Sequence, residues 1–177
     1  KPFFMGEQTP PSIRLTSSQK SFRTTDIDEV GDHKHVTFFE MLGNFSIGDY
    51  FKKEAVAFAW ELFTEVFQLP PDRLYVTVQL DDDEAFEFWR DDIGVPLDHI
   101  YRYGDKDNWW GPAGTEGPCG PCSEIHYDFG QDQGCGQPGC GPNCENAMNE
   151  HGDEILTELG YSSEEIGSMK VAIETVK

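Results

Sequence analysis

The sequence predicts an α/β (α+β) chain, strands interleaved with helices, on three observations. Residues 19–24 and 36–42 are apolar stretches separated by an acidic, glycine-containing loop at 25–35, the pattern of two adjacent antiparallel strands. From Lys52 the period changes: Ala55, Phe58, Ala59, Leu62, Phe63 and Val66 recur at spacings of three and four, the stripe of a core-facing helix. Leu74 to Val78 is then a short run of β-branched and aromatic residues, as a strand requires.

The remaining elements follow in chain order. Pro2, Pro10 and Pro11 make residues 1–18 an extended entry with a turn. Pro70-Pro71 stops the first helix, because proline cannot continue it. Asp81-Asp82-Asp83-Glu84 opens a second helix, where the dipole favours each acid by ~0.3–1 kcal/mol. That helix carries Ala85, Phe88 and Trp89 and ends near Gly94-Val95-Pro96. His99 to Tyr103 reads as another strand, followed by Asp107-Asn108-Trp109-Trp110. Residues 111–122, rich in glycine and proline, form a structured loop, and Ser123 to Asp128 alternates like a strand returning through a site. A glycine- and cysteine-rich insert occupies 130–146. The tail, 147–177, reads as a short helix, a Ser162-Ser163-Glu164-Glu165 cap and a second helix.

Composition narrows the function classes. The chain has 177 residues, 37% hydrophobic and 26% charged, the size and make-up of one globular domain. No apolar run approaches the ~18 residues that a membrane span needs, and the start shows no signal peptide, so a cytosolic setting is expected. Net charge is −20, from 33 acids against 13 bases. Phosphate neutralisation needs clustered cations, which argues against a broad nucleic-acid footprint on this piece alone, so any RNA contact is expected to be local or to come from parts not present. Local basic spots remain at Arg14, Lys20, Arg23 and Lys52-Lys53. Five cysteines, all between Cys119 and Cys144, fit reduced thiols or metal ligands better than a disulfide scaffold.

Arg23 lies on one strand of the predicted pair and an aromatic run, Phe38-Phe39, on the other. A nucleoside triphosphate needs both groups: a guanidinium to grip a phosphate bidentately and a ring to stack on the base. The run His35-Val36-Thr37-Phe38-Phe39-Glu40-Met41-Leu42-Gly43-Asn44-Phe45-Ser46-Ile47-Gly48-Asp49-Tyr50-Phe51 closely resembles motif 2 of alanyl-tRNA synthetases, class II aminoacyl-tRNA synthetases. It departs from them at Val36, where the family has a second histidine, and at Ile47. Three further segments stand in family order: the helix after Asp81, Asp107-Asn108-Trp109-Trp110, and Gly117-Pro118-Cys119-Gly120-Pro121-Cys122-Ser123-Glu124-Ile125. The resemblance covers residues 1–146 and implies an antiparallel sheet of the class II type flanked by helices, incomplete at both ends. The tail has a fainter likeness to the C-terminal end of class III CoA-transferases.

The resemblance implies alanine–tRNA ligase chemistry, with ATP and Mg²⁺ as cofactors and L-alanine and tRNA(Ala) as partners. Arg23 would bridge the α-phosphate and the amino-acid carboxylate; its bland alternative is a surface arginine in a strand pair. His35 would donate to the outer phosphates, with His33 and Lys34 nearby, although a loop histidine commonly faces solvent. Phe39 would stack on adenine with Met41 on the same face, and Phe38 would pack in the core, since neighbouring strand side chains alternate. Trp110 would wall the alanine pocket, excluding bulk where one methylene is worth only ~1–3 kcal/mol. Glu124 could help hold Mg²⁺ or form a structural salt bridge. Cys119, Cys122, Cys135, Cys140 and Cys144 contain enough thiolates for a tetrahedral Zn²⁺ site, or belong to an active-site loop without metal. No motif 1 or motif 3 arginine is present, which implies weak or absent turnover by this chain alone. The rival classes are a non-catalytic nucleotide-binding or interaction module and a zinc-binding adaptor.

Overall fold

The computed structural model of the protein describes residues 1–24, 27, 30, 36–112, 114–130 and 140–142. They fall into two compact units, one of Lys1–Leu15 with the described residues of Asn44–Asp128, the other of the described residues within Thr16–Gly43 and Phe129–Thr175. The expected tail helices in 147–177 lie outside the described residues.

The first unit is built on strand β3, Leu74–Gln79, the centre of a three-stranded sheet. β4, Ile100–Tyr103, lies on one side and β7, Ser123–Tyr127, on the other. β3 pairs antiparallel with β7 and parallel with β4, so that Val76 stands opposite both Ile125 and Ile100. The parallel pair follows from the helix between β3 and β4, since parallel neighbours need a crossover of about a dozen residues or more. Leu74, Val76 and Val78 are fully buried on one face of the sheet. With Ile100 and Ile125 they form one apolar cluster with Val56, Ala59, Phe63, Ala85 and Trp89 from the two helices.

Both helices widen before they end. α1, Lys52–Glu61, continues through a wider turn, Leu62–Val66, and α2, Asp83–Glu87, through Phe88–Ile93. These turns carry Phe63 and Trp89, 2% and 1% exposed, which are among the largest fully buried side chains. Gly94 closes the second at φ 84°, a left-handed conformation that glycine takes without a Cβ clash. Of the four acids at 81–84, Asp82 caps α2: its carboxylate accepts from the Ala85 N–H at 3.1 Å and from Lys52 Nζ at 2.8 Å. A short helix, α3 (Asp105–Asn108), leads into the two-residue strand β5, Trp109–Trp110. β5 pairs antiparallel with β6, Gly120–Pro121, placing Trp110 opposite Gly120.

The predicted strand pair is present as β1, Arg14–Phe22, and β2, Phe38–Ser46. The first strand begins earlier than its apolar run, because pairing rather than composition sets its length. Hydrogen bonds close both ends: Arg23 N–H to the Thr37 carbonyl and Ile47 N–H to the Ile13 carbonyl, each 2.8 Å. Equal lengths of chain separate these ends on the two strands, so the antiparallel ladder contains no net bulge.

Candidate functional site

Alternation along β2 decides which aromatic faces inward. Phe39 is 8% exposed and Phe38 62% exposed. The expectation that Phe38 packs in the core is therefore corrected: only one of two neighbours can face in, and Phe39 does so. Met41, Gly43 and Phe45 share its side and are half-buried, whereas Glu40, Leu42 and Asn44 are exposed. Arg23, opposite Thr37, lies on that same side. Its guanidinium carbon stands 5.3 Å from the centre of the Phe39 ring. The structure thus brings together the planar cation and the aromatic face expected from separate strands, in the geometry of a cation–π contact. His35, with His33 and Lys34, lies outside the described residues.

Trp110 belongs to the first unit and is 49% exposed. Asn108, two residues before it, belongs to a buried polar network that the sequence pattern does not reveal. Asn108, fully buried, donates from Nδ2 to the Thr77 hydroxyl at 2.9 Å and to the Cys122 carbonyl at 3.1 Å. The Asn108 carbonyl accepts from the Cys122 N–H at 3.1 Å. Thr77 is fully buried as well, on the sheet face opposite Val76 and Val78, and its hydroxyl lies 3.3 Å from His126 Nε2. A hydroxyl that accepts from Asn108 is free to donate to that nitrogen, a contact that fits a neutral His126 ring. Burial supports this, lowering the His126 pKa from 6.5 to about 4. Glu124 Oε2 approaches His126 Nε2 at 3.8 Å. Against a neutral ring this is no ion pair at pH 7, so salt bridging to His126 is not what Glu124 does there.

The cysteines are dispersed in environment. Cys119 is exposed, and Cys122 and Cys140 are half-buried. Cys135 and Cys144 lie outside the described residues. Among the described residues no three His, Cys, Asp or Glu side chains converge on a possible metal position. The expected basic spots are largely matched by carboxylates: Arg14 bonds Asp49, Lys52 reaches Asp82 and Glu84, and Lys53 reaches Asp92. No described helix is long and apolar enough to cross a membrane.

Comparison with known proteins gives these features a family. The model of tRNA synthetases class II (A) matches residues 1–166. The alanine–tRNA ligase of Dehalococcoides mccartyi (strain ATCC BAA-2266 / KCTC 15142 / 195) is 60% identical over 145 residues, 82% of this chain and 16% of that protein. That of Natranaerobius thermophilus is 56% identical over 146 residues, again 82% of this chain and 16% of the relative. That of Petrotoga mobilis is 50% identical over 172 residues, 96% of this chain and 19% of the relative. The chain therefore spans less than a fifth of the length of these relatives. The family match runs past residue 146 and takes in part of the tail, to residue 166. The match covers well over half the chain: it belongs to the class II aminoacyl-tRNA synthetases, with alanine–tRNA ligases as its relatives.

Proposed function

We propose that the hairpin face of Arg23, Phe39 and Met41 binds ATP and that Trp110 walls a pocket for the side chain of L-alanine, so that the chain serves alanine activation. The observation that carries the reading is the Arg23 guanidinium over the Phe39 ring, 5.3 Å away. In the reaction an alanine carboxylate oxygen attacks the α-phosphorus of ATP. The bond from that phosphorus to the pyrophosphate oxygen breaks, leaving alanyl-adenylate and pyrophosphate. Both reactants are anions, so charge neutralisation and in-line placement provide most of the catalysis. Arg23 supplies a fork of donors for the α-phosphate and carboxylate. His35 belongs to the proposal on its motif alone.

Mg²⁺ fits a single-carboxylate arrangement: it is commonly held by one or two carboxylates plus substrate phosphates, and Glu124 provides one such group. The ion would offset phosphate charge. Transfer of alanine to tRNA(Ala) completes the proposed activity, and Arg14, Lys52, Lys53 and Arg102, each against a carboxylate, are assigned no part in docking it.

The test is ATP–pyrophosphate exchange by the purified chain with alanine, glycine or serine, and Arg23→Ala as control. Alanine-dependent exchange lost in Arg23→Ala supports the reading. ATP binding without exchange would make the chain a nucleotide-binding module derived from a synthetase.

A further inference from the structure

We propose that Asn108 is the positioning residue that sets the bearing of Trp110, and thereby the size limit of the amino-acid pocket; the second half rests on the proposed function, the first does not. Asn108 is tied to Cys122 twice, by its side-chain Nδ2 to the carbonyl and by its own carbonyl to the N–H, both at 3.1 Å. Trp109-Trp110 leave directly from Asn108, and Gly120-Pro121 arrive directly at Cys122. The double tie therefore fixes the register in which Trp110 stands opposite Gly120. The second Nδ2 hydrogen anchors the assembly to β3 through the Thr77 hydroxyl, 2.9 Å away.

The chemistry admits only a carboxamide. The Cys122 carbonyl can only accept, so the atom facing it must be Nδ2 and not Oδ1. Two diverging donors on a short side chain are needed, and asparagine provides them. Its Oδ1 is buried without a partner, so the clamp uses the donors alone. Aspartate has the same shape and no donor; it would set an oxygen against the Cys122 carbonyl. Trp110 is half exposed, so its bearing depends on this backbone pairing more than on packing.

The test compares wild type, Asn108→Asp and Thr77→Val by the Trp110 indole N–H resonance, assigned with Trp110→Phe. Asn108→Asp is expected to shift and broaden that resonance while those of Trp60 and Trp89 stay in place, and Thr77→Val to shift it less. An unchanged Trp110 resonance in both folded variants would overturn the proposal. If Asn108→Asp fails to fold, Thr77→Val decides. The specificity half is read by titrating non-hydrolysable alanyl- and seryl-adenylate analogues. Wild type should prefer the alanyl analogue, and Asn108→Asp should lose at least threefold of that preference with ATP affinity unchanged. A preference that survives intact overturns the specificity half. Wild type binding neither analogue would sink the proposed function, while the indole resonance still judges the clamp.

Discussion

Lowering the pH from 7 to 5 should destabilise this protein through His126 in particular. The ring is half-buried and lies 3.3 Å from the Thr77 hydroxyl, and its folded pKa is lowered from 6.5 to about 4 by loss of solvent. An unfolded histidine takes up a proton near pH 6.5 and the folded one does not, so between those two values the unfolded state binds more protons. Stability is then complete above about pH 6.5 and is lost as pH falls toward 4. The full effect is about 3 kcal/mol, of which about 2 kcal/mol appears between pH 7 and pH 5. Urea unfolding at both pH values, for wild type and His126→Gln, isolates this contribution, because the 33 carboxylates titrate in both proteins. The variant should lose about 2 kcal/mol less on acidification. Parallel losses in the two proteins would refute a neutral His126 in the folded protein.

Three further outcomes follow from the fold and the site. Trp89→Ala removes a side chain 1% exposed and packed edge-on to Trp60, and should cost about 3–5 kcal/mol in urea unfolding. Asp82→Ala removes the N-cap of α2 and the partner of Lys52, and should cost about 1–2 kcal/mol, with Asp82→Asn recovering most of it as a capping residue. Phe39→Leu keeps an apolar side chain but removes the ring on which adenine would stack, so it should weaken ATP binding by about 1–3 kcal/mol. Equal affinity would remove Phe39 from the site.

Much of the fold is legible in the sequence because it is local. The stripe from Ala55 to Val66, the proline stop and the Leu74 strand depend on periods of 3.6 and 2 and on backbone chemistry. The hairpin is legible for the same reason. What the sequence leaves undecided is which face of β2 meets the interior: alternation separates Phe38 from Phe39 but does not say which is buried. The parallel β3–β4 pair is hidden likewise, since pairing direction depends on how the α2 crossover returns. Asn108 is the clearest miss. It stands within the Asp107-Asn108-Trp109-Trp110 run, but its partners Thr77 and Cys122 are 31 and 14 positions away, with no periodicity to connect them. A small polar residue beside two tryptophans was the one signal in the sequence. Arg23 and Phe39 were legible because a chemical need, a cation and a ring on paired strands, coincided with a long motif.

The most direct measurement is calorimetric titration of the chain with ATP, comparing wild type, Arg23→Lys and Arg23→Ala. If the Arg23–Phe39 face is a nucleotide site, wild type binds ATP and Arg23→Ala weakens it at least tenfold. Arg23→Lys keeps the charge but loses the planar fork, and should fall between them. Equal affinity across the three folded proteins, or no ATP binding by wild type, would contradict it.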